Sequence, residues 1–326
     1  MKVSVVVPVY NEEGNLPALL PRLSAALEST GHAWEVLFVD DGSRDRSLEI
    51  LKEWARRHPE RVRVIELSHN FGQHQAILAA FRDVTGDVVV TLDADLQNPP
   101  EEIPKLLAKV AEGYDLVGGV RLGRQDPAFR RLASAVVNRI SVAITRLRLT
   151  DFGCMLRAYA RPVVDEINDC DEASTFIPAL AQSFARRPTE VEVAHAPRQA
   201  GRSAYSLYRL IRLNFDLMTG FSIVPLQAFG FFGTLVALGG IAFGLFLLVR
   251  RLFVGAEVEG VFTLFAILFT LLGVAMAGLG IVGEYVGRIY QQVRGRPRVR
   301  VRRVYGLRAD EASASRLPPP ASRAIR

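Results

Sequence analysis

The chain has 326 residues, of which 49% are hydrophobic and 23% charged, and its mean hydropathy is +0.18. This average is too apolar for an ordinary soluble protein and too polar for a many-pass transporter, so it indicates a soluble domain joined to a small membrane part. The composition excludes collagen and a wholly disordered chain. It also excludes a disulfide scaffold, since Cys154 and Cys170 are the only cysteines. We therefore expect the protein to fold in a reducing compartment.

The positive charge is concentrated at the C-terminal end. The net charge is +6, but residues 285–326 contain eleven arginines against Asp310 and Glu311, so this segment carries +9 and the remainder −3. The excess of positive charge therefore belongs to a tail and does not indicate a nucleic-acid-binding fold. We expect no nucleic-acid partner. The last residues of this segment are typical of a solvated, partly disordered tail, whereas the part nearest the membrane can touch anionic headgroups.

Strand and helix patterns alternate from the first residue onwards. The opening run is short, rich in valine and without a small-residue cleavage site, so it predicts a buried strand and not a signal peptide. Short β-branched runs predict five strands, at residues 3–9, 34–39, 62–67, 87–92 and 115–120. Amphipathic stretches predict four helices, at residues 16–27, 48–54, 76–81 and 103–110. This order predicts an α/β fold, with a mostly parallel sheet covered by helices on both sides, in a cytoplasmic domain of residues 1–200.

Two cationic amphipathic stretches follow the predicted strands. Residues 128–149 interleave five arginines with apolar side chains, and residues 205–221, inside a juxtamembrane segment of residues 201–225, contain Arg209 and Arg212. Helices of this kind can lie in the headgroup plane of a membrane. The arginine density favours that position for the first stretch, while packing on the sheet stays an equal alternative for the second.

Two charge-free segments, residues 228–249 and 260–283, lie close to the end. Each has about the ~20 residues that a helix needs to cross the hydrocarbon, so they predict a two-helix transmembrane domain over residues 226–284. The linker between them contains Arg250 and Arg251, and more arginines follow the second segment, so both termini are predicted to be cytoplasmic, with residues 285–326 as a basic tail. Glycines in both segments predict close helix packing, within a subunit or between the subunits of a homo-oligomer.

Acidic residues follow two of the predicted strands. Asp93 and Asp95 come directly after the fourth strand, and Gln97 adds an amide oxygen. Because ligands collect at the carboxyl ends of parallel strands, these hard oxygen ligands predict a Mg²⁺ or Mn²⁺ site that neutralises a diphosphate leaving group. Asp40 follows the second strand and can accept hydrogen bonds from a base or ribose, with a turn or helix cap as the alternative.

The end of the first strand adds further polar groups to the same predicted edge, namely Pro8, Tyr10, Asn11 and Glu12. A pair of aspartates two positions apart is weak evidence alone, because two turn carboxylates are commoner. Three such strand ends at one edge predict a nucleotide-binding crevice. A membrane-anchored nucleotide-sugar-binding module without catalysis is the alternative of another class.

The motifs VVVPVYNEE, VDDGS, NFGQ and DADLQ together resemble family 2 glycosyltransferases of the GT-A fold, which use nucleotide-sugar donors. With the two C-terminal segments, the chain resembles the polyprenyl-phosphate glycosyltransferases, relatives of dolichyl-phosphate mannose synthase. Residues 151–159, 174–178 and 283–290 are similar to the branch that transfers 4-deoxy-4-formamido-L-arabinose to undecaprenyl phosphate for lipid A modification and polymyxin resistance. The resemblance implies inverting transfer from a UDP-sugar at the cytoplasmic face of the bacterial inner membrane, with glucose or another sugar as the alternative donor.

The resemblance also implies roles for single residues. Asp40 would bind uracil or ribose beside Pro8, Tyr10, Asn11 and Glu12, and Asp93 and Asp95 would meet the metal and the diphosphate, with Gln97 next to them. The acceptor phosphate would be held by Arg121, Arg130, Ser134 and Arg198. Asp151 would orient sugar hydroxyls, with a role as a base as the less favoured alternative. Near Arg198 the chain departs from the family, since Ala204 replaces a usual Lys and Arg202 a common Glu.

Overall fold

The computed structural model describes residues 1–121, 154–170, 176–196, 223–254, 260–293 and 299–306. Its strands are β1 Lys2–Val9, β2 Ala33–Asp40, β3 Val62–Leu67, β4 Val88–Thr91, β5 Leu116–Arg121, β6 Arg157–Ala160, β7 Pro188–Val193 and β8 Val301–Tyr305. They form one sheet in the order β7-β5-β6-β4-β1-β2-β3-β8. Strands β4, β1, β2 and β3 are parallel neighbours, whereas β6 and β8 pair antiparallel with theirs.

The helices of the described residues cover the sheet or follow it in the chain. They are α1 Leu16–Ser29, α2 Ser47–Arg57, α3 Gln73–Phe81, α4 Ile103–Ala111, α5 Arg161–Asp169, α6 Ile177–Phe184, α7 Val224–Val254 and α8 Val261–Val293. The five predicted strands and four predicted helices of the first 120 residues are all present. The predicted α/β class with a mostly parallel sheet is therefore confirmed.

Valine-rich strands form the centre because both faces of the sheet are covered. In β1, Val3, Val5, Val7 and Val9 pack into the apolar cluster that contains the leucines of α1. Val6, on the other face, packs into the cluster that contains the apolar side chains of α3. A strand with two buried faces reads as a continuous apolar run and not as an alternation, which is the pattern that the sequence shows.

Strands β6, β7 and β8 were not predicted from the sequence. Strand β6 has four residues, and β8 contains Arg302 and Arg303 within the segment interpreted as a basic tail. Strand β8 lies beside β3, with Val64 opposite Tyr305 and Leu67 opposite Val301. All three strands depend on pairing with distant parts of the chain, β7 with β5, so local propensity gives little signal for them.

The two long helices α7 and α8 contain the predicted membrane segments. Their most apolar parts, Leu226–Phe246 and Ile267–Tyr290, are long enough to cross a membrane, and almost none of their side chains is buried. Gly278 lies against the ring of Phe229, where any added Cβ would overlap the ring, so this glycine permits close packing of α7 on α8. The homo-oligomer stays a prediction. The predicted interfacial helix of residues 128–149 and most of residues 201–225 lie outside the described residues.

A buried carboxylate ties the amino ends of the central strands together. Glu35 in β2 accepts hydrogen bonds from the Ser4 hydroxyl at 2.6 Å, from the Thr85 backbone nitrogen at 2.7 Å and from the Arg63 guanidinium at 2.6 Å. Burial alone would raise the pKa of Glu35, but these hydrogen bonds and the charge of Arg63 outweigh it and lower the pKa to about 2. The ionised carboxylate therefore stabilises the folded protein.

Replacing Glu35 with Gln should lower the free energy of unfolding at pH 7 by about 3 kcal/mol, because Arg63 loses its buried partner. The folded pKa lies below the ordinary value of 4.5, so this contribution is present above pH 4.5 and disappears as the pH falls towards 2. Thermal unfolding of wild type and Glu35→Gln at several pH values measures it. Glu28→Gln, which removes an exposed carboxylate 3.9 Å from Arg61, is the control. A loss that does not depend on pH would contradict this account.

Candidate functional site

The carboxyl ends of three parallel strands meet at one edge of the sheet. Val9 at the end of β1 lies opposite Asp40 at the end of β2, and Val6 lies opposite Thr91 at the end of β4. The backbone nitrogen of Asp41 donates to the carbonyl of Val9 at 2.8 Å, so the first two strands stay paired to their last residues. The loops that follow therefore share this carboxyl edge, as the sequence predicted.

The loop after β1 is fastened to the loop after β2. The backbone nitrogen of Asn11 donates to Ser43 Oγ at 3.1 Å, and that of Glu12 donates to Ser47 Oγ at 2.8 Å. In return, the backbone nitrogen of Arg44 donates to Asn11 Oδ1 at 2.8 Å. The Asn11 side chain therefore stabilises one side of the crevice, because its oxygen holds the backbone at Arg44.

The two aspartates after β2 have different surroundings. Asp41 accepts hydrogen bonds from the backbone nitrogens of Phe71 at 2.7 Å and Gly72 at 2.9 Å, so its carboxylate holds the loop before α3. Asp40 Oδ1 is buried and has no hydrogen-bond partner among the described residues. Burial raises the pKa of Asp40, and the nearby Glu66 carboxylate raises it further. Asp40 is thus the residue of this pair with an acceptor left to offer a ligand.

The loop held by Asp41 leads directly to the acids after β4. Gln73, the first residue of α3, donates a hydrogen bond from its side-chain amide to Asp93 Oδ1. Asp41 holds the backbone directly before Gln73, and Gln73 in turn contacts Asp93. Asp41 therefore supports the position of the Asp93 side chain through Gln73. In the sequence, Gln73 belongs to the NFGQ motif, but no role was predicted for it, because the predicted helix begins only at residue 76.

Acidic groups are crowded around Asp93. Burial and the neighbouring Asp95 carboxylate raise the pKa of Asp93 to about 7, with a smaller contribution from Glu12. Arg121, at the end of β5, and the Gln73 hydrogen bond act in the opposite direction. Of the predicted site residues, the structure thus brings Glu12, Asp93, Asp95 and Arg121 into one electrostatic cluster.

Among the described residues, left-handed backbone at residues with a Cβ occurs in these same loops. Asn11 and Leu96 are the non-glycine residues of the described chain with left-handed backbone, at φ angles of 56° and 61°. Asn11 follows β1 and Leu96 follows β4, where its side chain is almost completely buried. Left-handed conformations cost free energy for residues with a Cβ and persist where the surroundings enforce them, often at functional sites. The strain therefore marks both loops as positions where geometry is held against local preference.

The remaining predicted residues are placed less tightly. The Gln97 backbone nitrogen donates to Asp95 Oδ1 at 3.1 Å, and its carbonyl accepts from Ala196 at 2.9 Å, while its side chain is half-buried. Pro8 is half-buried, and Tyr10 is 42% exposed. The other predicted residues lie outside the described part of the chain, namely Arg130, Ser134, Asp151 and Arg198.

The chemistry of the acidic pair fits a divalent cation. Burial and, after it, repulsion from Asp95 raise the pKa of Asp93, and a cation bound between the carboxylates would offset both. Carboxylate oxygens are the ligands that Mg²⁺ and Mn²⁺ prefer. The described residues contain no group of three or more His, Cys, Asp or Glu side chains that forms a metal site by itself. The arrangement therefore suits an ion whose remaining ligands come from a bound phosphate compound or from water.

Comparison with known sequences adds close relatives. The model of the family described as "Glycosyl transferase family 2" matches residues 4–167. The chain is 52% identical over 305 residues to the undecaprenyl-phosphate 4-deoxy-4-formamido-L-arabinose transferase of Klebsiella pneumoniae subsp. pneumoniae, with 93% of each chain covered. It is 51% identical to the protein of the same name from Salmonella enteritidis PT4, again over 93% of each chain.

Solved structures with a similar fold include glucosyl-3-phosphoglycerate synthase from Mycobacterium tuberculosis. Its complex with Mn²⁺, UDP-glucose and phosphoglyceric acid has a TM-score of 0.50 and 18% identity, and the match covers 68% of this chain and 78% of that one. Its complex with Mn²⁺, UDP and phosphoglyceric acid also gives 0.50, at 19% identity, with 67% and 76% covered. At this identity the similarity shows the fold alone.

Replacing Asp93 with Asn should stabilise the metal-free protein at pH 8. The folded pKa of about 7 lies above the ordinary value of 3.8, so wild type loses stability as the pH rises between these values. Thermal unfolding in the presence of a chelator should show a higher Tm for Asp93→Asn at pH 8 and a smaller difference at pH 4. Asp169→Asn, on the exposed end of α5, should change little at either pH. A lower Tm for Asp93→Asn at pH 8 would overturn the electrostatic argument.

Variants of Asp41 and Gln73 should distinguish a contribution to the stability of the protein from a contribution to the geometry of the site. Asp41→Ala leaves two backbone N–H groups without their charged acceptor, so we expect a loss of about 3 kcal/mol in the free energy of unfolding. Gln73→Ala removes a partly exposed contact and should leave the free energy of unfolding within about 0.5 kcal/mol of wild type. Both variants should weaken Mn²⁺-dependent UDP binding, measured by calorimetry. Unchanged UDP binding in both would show that Gln73 does not organise the acidic cluster.

Proposed function

Because this chain belongs to glycosyl transferase family 2, we propose that it transfers 4-deoxy-4-formamido-L-arabinose from a UDP-linked donor to undecaprenyl phosphate. The fold is the GT-A fold with two candidate membrane helices, and the protein is a glycosyltransferase. The observation that carries the proposal is the acidic cluster of Glu12, Asp93 and Asp95 beside Arg121, at the same edge of the sheet as the open carboxylate oxygen of Asp40. The name shared by relatives with about half of their residues identical supports the choice of sugar and lipid.

The donor side of the reaction falls to the loops of the carboxyl edge. Asp40 accepts hydrogen bonds from uracil or ribose through its buried Oδ1, and the exposed ring of Tyr10 and the half-buried Pro8 contribute contact surface. Glu12, anchored through its backbone to Ser47, closes this side of the crevice. A buried acceptor without a partner is costly in the free protein, so a ligand that donates to it gains affinity.

A Mg²⁺ or Mn²⁺ ion held by Asp93 and Asp95, with Gln97 beside them, would neutralise the diphosphate of the donor and so improve it as a leaving group. Gln73 holds one oxygen of Asp93 and thereby orients the other. Arg121 offsets part of the negative charge that the acids and the substrates bring together. These residues act by position and charge and not by proton transfer.

The acceptor phosphate needs no general base. A phosphate monoester has its second pKa near ~6, so it is largely dianionic at neutral pH and nucleophilic by itself. Its oxygen attacks the anomeric carbon of the sugar in line with the bond to UDP, which breaks with its electron pair on UDP, and the configuration inverts. Arg121 and, by family resemblance, Arg130, Ser134 and Arg198 hold the acceptor phosphate against repulsion between two anions, and Asp151 orients sugar hydroxyls.

The protein is associated with a membrane through α7 and α8, and we place both termini in the cytoplasm of a bacterial cell, at the inner membrane. The arginine excess after α8 supports this orientation. The pairing of β8 with β3 independently supports the placement of both ends on one side of the membrane. Strand β8 follows both candidate spans in the chain and β3 precedes them, so the two ends of the helix pair must lie on the same side.

The test is transfer itself. Purified protein with undecaprenyl phosphate in vesicles, Mg²⁺ or Mn²⁺, and a panel of UDP-sugars that includes UDP-glucose should yield a glycosylated lipid detected by mass spectrometry. The product should carry formamidoarabinose. Product with glucose alone would replace the proposed donor, and UDP binding without any lipid product would favour a binding module.

The metal assignment has its own variant. Asp95→Asn should lower turnover by about 100-fold, because several kcal/mol of charge neutralisation at the leaving group is lost. The exposed Asp169→Asn variant is the matched control and should keep wild-type turnover. Near wild-type metal-dependent turnover in Asp95→Asn would show that this carboxylate does not meet the ion.

A further inference from the structure

Strand β8 follows the second membrane helix after a short connection. The candidate span ends at Tyr290, α8 ends at Val293, and the described chain resumes at residue 299, two residues before β8. Val301, the first residue of β8, lies eight residues after Val293, and eight residues of chain cover at most about 29 Å even when fully extended. The edge of the sheet that β8 joins must therefore lie within that distance of the end of α8.

The direction of β8 decides which end of the sheet lies nearest to the end of α8. Because β8 is antiparallel to β3, its first residue, Val301, lies opposite Leu67 at the carboxyl end of β3, and Tyr305 lies opposite Val64. The backbone nitrogen of Ser68 donates to the carbonyl of Arg300 at 3.0 Å, which extends the contact beyond that end. The carboxyl end of β3 belongs to the same edge as the acidic cluster. The chain that leaves the membrane thus reaches the sheet at the edge that holds the site.

The attachment is specific and centres on Glu66. This almost buried side chain of β3 accepts hydrogen bonds from Arg302 Nη1 at 3.0 Å and from the Tyr305 hydroxyl at 2.7 Å, both in β8. The ammonium group of Lys52, in α2, lies 4.6 Å from the centre of the Tyr305 ring. Behind β8, Gly306 adopts a φ of 104° where a Cβ would overlap the carbonyl oxygen of Val62. The strand is therefore fastened by side chains as well as by the ladder.

We propose that β8 is an orienting strand that turns the carboxyl edge of the sheet towards the bilayer, with Glu66 as the residue that positions it. The inference rests on the proposed function, since an acceptor phosphate on a polyprenyl chain is confined to the headgroup layer. A sheet tethered at its amino edge would hold the donor crevice about 20 Å further from that layer, because β3 has six residues of about 3.3 Å each. Because β8 attaches the sheet at its carboxyl edge, the donor crevice does not lie this additional 20 Å from the headgroup layer.

The orientation is measurable without any substrate. A donor fluorophore is placed at Arg44→Cys, exposed in the loop after β2 at the carboxyl edge, or at Glu60→Cys, exposed before β3 at the amino edge. The background is Cys170→Ser, and Cys154 is buried. Energy transfer to headgroup-labelled lipids in nanodiscs should be stronger from position 44 than from position 60. Equal or stronger transfer from position 60 would overturn the proposal.

A pair of truncations isolates β8. A chain that ends at Gly306 keeps the strand and should retain the difference between the two labels, whereas a chain that ends at Arg298 lacks it and should lose the difference. The combined Arg302→Met and Tyr305→Phe variant, which keeps the full chain, should reduce the difference as well. Arg22→Met, which removes an exposed ion pair with Glu101 at 2.8 Å, is the charge-matched control. If the labels report the same orientation without β8, the strand does not set it.

Transfer assays separate this inference from the proposed function. Loss of β8 should lower transfer to undecaprenyl phosphate in vesicles by about 10-fold or more, because the reacting groups are held less well in place. The dissociation constant of UDP should stay within about twofold in the Arg302→Met and Tyr305→Phe variant, which shows that Asp40, beside Glu66, is undisturbed. Correct orientation with no lipid product refutes the proposed function alone, and product formation with an inverted label order refutes the orienting strand alone.

Discussion

The burial of Asp93 beside other carboxylates at the carboxyl edge of the sheet is the constraint on which the rest of the site depends. Burial, with repulsion from Asp95 and a smaller contribution from Glu12, raises the pKa of Asp93 to about 7, and Arg121 offsets only part of this effect. Such an arrangement is unfavourable in the free protein and, under the proposed function, would become favourable with a cation and a diphosphate in the crevice. The free energy that holds it together comes from elsewhere, from valine-rich strands buried on both faces and from the hydrogen-bonded Glu35 at the opposite edge.

Hydrogen bonds between the loops at this edge fix the positions of the side chains that follow the strands. The loop after β1 is bonded to the loop after β2, and Asp41 carries the order onward to the start of α3. From there Gln73 reaches Asp93, so three motifs that are far apart in sequence form one hydrogen-bonded unit. The left-handed backbone at Asn11 and Leu96 lies within this unit, where surrounding contacts outweigh the local cost.

The molecule has one part that is adapted to water, the sheet with its covering helices, and one that is adapted to a membrane, α7 and α8. Strand β8 connects the two parts. The sheet buries its apolar side chains, whereas α7 and α8 expose theirs. A transferase that joins a water-soluble donor to a lipid must keep its crevice near the headgroups, because neither substrate crosses far into the other's phase. The antiparallel register of β8 on β3 places the membrane connection at the edge where the acids lie. Under the proposed function, a strand in a basic tail would thus be part of the geometry of the reaction.

The sequence by itself determined the features that follow from local physics. Buried strands show as valine runs, amphipathic helices as leucine spacing, membrane segments as stretches without charge, and the acids were recognisable because they follow strands. Only the tertiary structure distinguished Asp40, with an open oxygen, from Asp41, which holds a loop, since the two are neighbours with the same chemistry. It alone revealed Gln73 on Asp93 and Arg302 on Glu66, because contacts between residues 20 and 236 positions apart are set by the packing of the whole sheet and leave no local pattern.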